Sequence, residues 1–120
     1  MSFLDKPVPG DYLMVIGNKN SAEMAQMVVS MGNENGLSKS VGVIAPGDGT
    51  YFLSSAMMRS DHGLLWYNGI PALFLTDGAN FRNPNYHQPT DLPETLDETF
   101  LIGNTRLVTA AVALFAEVQL

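Results

Sequence analysis

The sequence has 120 residues, no cysteine and only six basic residues. Without cysteine, disulfides and thiolate metal sites are excluded. The lysines and arginines are scattered and form no basic stripe, which argues against nucleic-acid binding by phosphate neutralisation. No apolar run approaches the length of a membrane-spanning helix, and the first residues do not have the pattern of a signal peptide. We therefore expect a soluble protein with no nucleic-acid or membrane partner, and the sequence leaves its compartment open.

Charge is also scarce, since charged residues make up 15% of the chain and apolar residues 46%. A small free-standing domain usually carries more charge on its surface. Two interpretations stay open. Part of the surface is normally covered by another chain or by further sequence, or the chain is a well-packed α/β domain with a neutral surface. The length indicates one domain over residues 1–120.

Hydrophobic patterning predicts strands that alternate with helices. The predicted strands cover residues 12–17, 41–45 and 69–76, and the predicted helices cover 22–31, 61–68 and about 20 residues after an Asp97 cap. Residues 1–11 are predicted to be extended, 54–58 to allow one helical turn, and 77–96 to form a long structureless loop. This order predicts a three-layer α/β/α fold around a small sheet, mostly parallel or mixed.

For two of the helices the sequence also predicts the ends or the buried face. In the helix 22–31, Ser21 is the predicted N-cap, and Gly32 with the polar residues 33–36 is predicted to end the helix. The side chains predicted to fill the core include Met24, Met27 and Met31. The apolar stripe predicted on the closing helix comprises Leu101, Val108, Ala111, Val112, Phe115 and Val118.

The polar segment from Thr76 to Asp91 follows the third predicted strand and holds the candidate site. Loops after strands often carry the chemistry of a sheet protein. Here His87 follows Tyr86 and precedes Asp91 by four residues, which suits a metal ligand with orienting neighbours. The alternatives are a loop histidine without a metal role, a tyrosine that anchors the loop, and an aspartate that caps a helix.

Three other polar residues have simpler interpretations. We interpret His62 as a helix-start histidine that bonds to backbone and not as a ligand. Asp77 fits a turn residue that bonds its own backbone. Arg82 is either a surface cation or the partner of an acidic residue that holds the loop, and we favour the second.

An ordered set of motifs from residue 60 onward resembles a known enzyme family. The set comprises Ser60-Asp61-His62, Gly69-Ile70-Pro71-Ala72, Thr76-Asp77, Arg82-Asn83-Pro84-Asn85-Tyr86-His87, Asp91 and Leu96-Asp97. It resembles the C-terminal part of the zinc-dependent exopeptidases, which include bacterial leucyl aminopeptidases, plasma glutamate carboxypeptidase and, more distantly, glutaminyl cyclases. A looser resemblance covers Pro9 to Leu13 and Val15 to Asn18.

The resemblance implies a fold that is part of a larger zinc-exopeptidase domain and an activity that hydrolyses terminal peptide bonds with metal-activated water. It implies that His87 is a zinc ligand and that Tyr86 hydrogen-bonds the reaction intermediate. Asp61 would orient neighbouring polar groups, and Asp91 would hold the loop that presents His87.

The chain departs from the family because it has no His-x-Asp segment and no adjacent Glu-Glu pair. We therefore expect the C-terminal portion of a longer enzyme, inactive alone, without tightly bound zinc, and self-associated as a homodimer through an exposed sheet edge. The alternatives are a non-catalytic binding or assembly module on the same scaffold, or a subunit whose partner supplies the other ligands. The side-chain preference, and the choice between aminopeptidase and carboxypeptidase, stay open.

Overall fold

The computed structural model describes residues 11–51 and 57–117, which form a small mixed sheet with helices. The elements, in chain order, are β1 (Leu13–Gly17), α1 (Ala22–Glu34), β2 (Ser40–Ile44), α2 (His62–Tyr67), β3 (Phe74–Thr76) and α3 (Glu98–Phe115). The strand order is β2-β1-β3, with β1 parallel to β2 and antiparallel to β3. The predicted α/β class with a small mixed sheet is confirmed.

The two faces of the sheet carry separate apolar clusters. On β1, Leu13 and Val15 pack with Val28 of α1 and Leu107 of α3. Ile16, which points to the opposite face, packs with Trp66 of α2. Because side chains alternate along a strand, β1 belongs to both clusters. The fold is therefore three-layered, with α1 and α3 on one face and α2 on the other.

Helix α1 runs to Glu34, which is three residues beyond the predicted range 22–31 but within the segment predicted to end it. Gly32 lies inside the helix and is buried, and a Cβ atom there would lie 2.7 Å from Ser40 Oγ and 2.9 Å from Leu107 Cδ2. This glycine therefore allows close packing and does not end the helix. Ser21 occupies the N-cap position, but its side chain makes no cap bond and instead bonds with buried Asn18. Of the methionines predicted to fill the core, Met27 is exposed.

Helix α3 begins as predicted, because Asp97 Oδ1 accepts a hydrogen bond from the Phe100 amide at 2.9 Å. Its buried face contains Ala111, which the predicted stripe included, and Leu107, which it did not. Most of the predicted stripe is exposed, namely Leu101, Val108, Val112 and Phe115. The exposed side is explained by how closely the backbone of α3 approaches the segment after α1. Gly103 lies so close to the Leu37 carbonyl that a Cβ atom would collide with it, so the helix packs on the side with the small residues.

The third strand is shorter than predicted. It begins at Phe74, because the preceding segment contains Pro71 and because the Ala72 carbonyl accepts a hydrogen bond from Trp66 Nε1 at 2.9 Å. The segment 77–96 is not structureless, since it contains two short 3-10 turns, Ala79–Phe81 and Pro93–Thr95.

Some expectations lie outside the described residues. These are the extended segment up to residue 10, most of the helical turn predicted at 54–58, and Val118 of the closing stripe. Among the helices that the structure describes, none combines the length and the hydropathy needed to span a bilayer.

Candidate functional site

The loop after β3 is held against the beginning of β1 by one arginine. Because β3 is antiparallel to β1, its carboxyl end lies where β1 begins. Arg82 Nη1 donates to the Asp77 carbonyl at 2.8 Å and to the Tyr12 carbonyl at 3.1 Å, and Nη2 bonds Asp11 Oδ1 at 3.2 Å. The guanidinium lies 4.0 Å from the centre of the Tyr12 ring, and the arginine side chain is only 7% exposed. Arg82 thus pairs with an acid and holds the loop, as we favoured.

The first turn of the loop is built from local hydrogen bonds. Asp77 Oδ1 accepts from the Ala79 amide at 2.8 Å, and Thr76 Oγ1 accepts from the Gly78 amide at 3.0 Å. Gly78 has a φ of 101°, in the left-handed region that favours glycine. In this structure Asp77 therefore has the turn role that its sequence context indicated.

The second half of the loop is organised by Asn83, which the sequence analysis missed. Its Oδ1 accepts from the Asn85 amide at 2.9 Å, and its Nδ2 donates to Asp91 Oδ1 over a longer 3.4 Å. Its carbonyl accepts from the Tyr86 amide at 3.2 Å. The available signal was the Asn83-Pro84 dipeptide, which is typical of turn initiation.

His87 lies on the surface of this loop. Its ring stacks on the ring of Tyr86, with centroids 4.0 Å apart and planes 12° apart, and Tyr86 itself is half-buried. The backbone of His87 has a φ of 56°, a left-handed conformation that is uncommon for residues other than glycine. Such strain clusters at functional sites. The imidazole is therefore accessible and held in a defined orientation by backbone geometry and one stacking contact.

The described residues do not complete a zinc site. They contain no group of three or more histidine, cysteine, aspartate or glutamate side chains that could hold a metal. Catalytic zinc usually takes about three protein ligands. An exposed imidazole such as that of His87 supplies at most one of them. Asp91 is tied to the same loop, whereas Asp61 precedes α2, is exposed, and makes no side-chain cap bond.

A separate open cavity of about 740 Å³ lies between the loop and the beginning of α3. Its walls are partly apolar, from Leu75 and Leu101, and partly polar, from Asp77, Arg82 and Asn104. Neither Tyr86 nor His87 lines it. The cavity and the Tyr86–His87 pair are therefore different features, joined only by the loop.

The second histidine is buried on the other side of the sheet from α1. His62 is the first residue of α2, is 5% exposed, and makes a backbone hydrogen bond with Met57. Burial is the main cause that holds the pKa of His62 below its ordinary value. It is thus a helix-start histidine that bonds to backbone, as we interpreted it from the sequence.

Comparison of the chain with protein-family models, with curated proteins and with solved structures finds no match.

Proposed function

We propose that this chain is the C-terminal part of a zinc-dependent exopeptidase, in which His87 is one metal ligand and peptides are the substrates. The observation that carries the proposal is the exposed imidazole of His87, stacked on Tyr86 in a left-handed backbone conformation. The ring is open to solvent and its direction is set by the backbone and by the Tyr86 ring, which suits a group that binds a ligand. The ordered motifs around it supply the class of enzyme.

The way in which the loop is held also supports the proposal. Arg82 ties its first half to the sheet, and Asn83 ties its second half to Asp91. These bonds order the backbone without burying His87, so the ring stays free for a ligand role. In the complete enzyme the Tyr86 hydroxyl would donate to the oxygen on which charge develops during peptide hydrolysis.

The proposal requires that other sequence provide the remaining ligands and the general base. Zinc in the complete centre would activate the attacking water. The chain by itself should bind zinc weakly through His87 and should not hydrolyse peptides. Elemental analysis after dialysis tests this expectation. Retention of one or two equivalents of zinc by the chain alone would contradict it.

The decisive experiment begins with the genomic reading frame that adjoins this sequence. We expect it to continue upstream and to encode a His-x-Asp segment and a Glu-Glu pair. The protein from the whole frame should retain zinc and release terminal residues from unblocked peptides. His87→Ala should remove bound zinc and lower activity by more than about 100-fold, the upper range for groups behind a metal ligand. Gln88→Ala, an exposed neighbour, is the matched control.

A frame that is closed upstream would overturn the enzyme assignment. The chain would then be a non-catalytic binding or assembly module on the same scaffold. The incomplete ligand set in the described residues is the observation that favours this alternative. In that case His87→Ala and Gln88→Ala should be equally harmless to stability and to oligomeric state.

We further propose that the isolated chain forms a homodimer that covers an exposed sheet edge. The edge of β2 is partly closed, because the Asn33 side chain accepts from the Ser40 amide and donates to the Ser40 carbonyl, both at 2.9 Å. Beyond Ser40, however, β2 leaves Val41, Gly42 and Ile44 exposed, whereas the residues of β3 are half-buried, so β2 offers the more open edge. The exposed stripe on α3, at Leu101, Val108, Val112 and Phe115, adds apolar surface that favours association.

Light scattering during gel filtration tests the dimer. The wild-type chain should elute as a dimer, and Val112→Glu, at the most exposed position of the stripe, should shift it towards monomer. Arg106→Glu, at an exposed position of the same helix about 120° around its axis from Val112, should leave the dimer intact. A clean wild-type monomer at high concentration would contradict the proposal.

A further inference from the structure

His62 is enclosed by aromatic rings between α2 and β3. Its ring stacks on Phe74 of β3, with centroids 4.4 Å apart and planes 7° apart, and meets the edge of Trp66 at 4.7 Å and 78°. Phe74 is the first residue of β3, the strand that leads directly into the loop with Tyr86 and His87. The histidine therefore joins α2 to the strand that supports the candidate site.

Burial of this ring favours its neutral form, and it outweighs the contact with the Met57 backbone, which favours the charged form. The imidazole bonds with the backbone of Met57, and its Nε2 atom is buried without a hydrogen-bond partner within the described residues. In a neutral imidazole one ring nitrogen carries the proton and the other is an acceptor. Adding a proton to the ring would place a second N–H donor and a positive charge between apolar rings, which is costly without a partner.

Few charges are placed to compensate for that cost. Asp61, which directly precedes α2, is exposed, and its negative charge favours the charged form of the ring less than burial opposes it. Arg59, in the preceding segment, is also exposed and has the same sign as a protonated ring. The strands β1 and β3 contain no ionisable residue, and neither does the sequence of residues 52–56.

We propose that His62 is an acid-sensitive switch: protonation of its buried ring releases α2 from β3 and loosens the strand from which the Tyr86–His87 loop begins. This inference does not depend on the proposed enzymatic function. It rests on the packing of His62, Phe74 and Trp66.

The direction of the pH dependence follows from linkage. Because the pKa of His62 is lowered in the folded protein, the opened state binds more protons than the closed state as pH falls. The packed ring therefore contributes its full stabilisation of the closed state above about pH 6.5, the ordinary pKa of histidine. This stabilisation declines as the pH falls below that value. Aspartates and glutamates ordinarily titrate near pH 4, so they contribute little between pH 7.5 and 5.

The test uses Trp66, the only tryptophan of the chain, as its reporter. Trp66 is 1% exposed and contacts the histidine ring, so opening should shift its emission to longer wavelength. Between pH 7.5 and 5 the wild-type emission should shift, His62→Phe should stay flat, and His87→Gln should respond like the wild type. A flat wild-type profile, or a His62→Phe profile like that of the wild type, would overturn the proposal.

A second measurement does not depend on the fold of the His62 variants. The chain has two histidines, so the two ring resonances can be assigned by NMR with His87→Gln. The His62 resonance should titrate together with the Trp66 indole resonance and with loss of amide protection in α2. Titration of His62 without a change at Trp66 would show that the ring protonates in place, and would contradict the switch.

Discussion

The surroundings of the two histidines differ in the kind of contact that orders them. His62 is ordered by apolar packing between α2 and β3, which buries the ring. His87 is ordered by a loop held through the polar contacts of Arg82 and Asn83, which leave the ring exposed. Polar contacts to the backbone of a loop can therefore hold a side chain in place and keep it exposed. Apolar packing fixes a side chain at the expense of access.

We expect the largest loss of stability from a substitution in the packing around the buried His62. Trp66→Ala should lower the free energy of unfolding by about 3–5 kcal/mol, because it empties a fully packed site and removes the donor to the Ala72 carbonyl. Urea denaturation followed by far-UV circular dichroism measures the change. Tyr67→Ala, whose side chain is 76% exposed on the same helix, should change it by less than about 0.5 kcal/mol. Equal losses in the two variants would mean that α2 does not pack as described.

An intermediate effect is expected where the loop meets the sheet. Arg82→Ala should lower the free energy of unfolding by about 1–3 kcal/mol. The carbonyl groups of Tyr12 and Asp77 lose their hydrogen-bond donor, and the ring of Tyr12 loses its cation. Arg82→Lys should recover only part of this, since an ammonium cannot reproduce the fork of donors.

Hydrogen exchange locates the effect of Arg82→Ala. Protection should fall in residues 77–91 and stay unchanged in α1. Arg59→Ala, which removes an exposed arginine before α2, is the matched control and should alter neither region. Uniform loss of protection across the chain after Arg82→Ala would contradict a local role in the loop.

We expect the smallest change in stability from a substitution of the exposed His87. His87→Gly removes a side chain from a left-handed backbone position, where residues other than glycine pay about 1–2 kcal/mol. Glycine loses more chain entropy on folding, by roughly 0.5–1 kcal/mol, so the net gain in stability should be about 0.5 kcal/mol. Gln88→Gly, at a position without positive φ, should instead lower stability. A clear loss of stability in His87→Gly would show that the ring serves the fold.

The sequence predicted the order and type of the elements because their signals are local. Apolar runs mark β1 and β2, and Asp97 caps α3 through its own side chain. The exposed stripe of α3 was predicted to be buried, because two neighbouring faces of that helix are both apolar and only the close approach at Gly103 selects between them. Gly32 was misinterpreted for the same reason, since its role depends on Ser40 and Leu107, which are distant in sequence.

The candidate site was predictable to a similar extent. The polar segment after an apolar run indicated the loop that bears Tyr86 and His87, and an acidic partner for Arg82 was anticipated. The identity of that partner, Asp11, could not be, because it depends on the antiparallel direction of β3. The role of Asn83 is set by a turn whose bonds the sequence pattern does not distinguish from other turns.

The assignment of His87 as a zinc ligand is best tested by titrating the isolated chain with zinc and following both histidine rings by NMR. We expect added zinc to shift the His87 resonances in a weak, saturable way and EDTA to reverse the change, while the His62 resonances stay in place above neutral pH. Unchanged His87 resonances at millimolar zinc, or a response confined to His62, would contradict it.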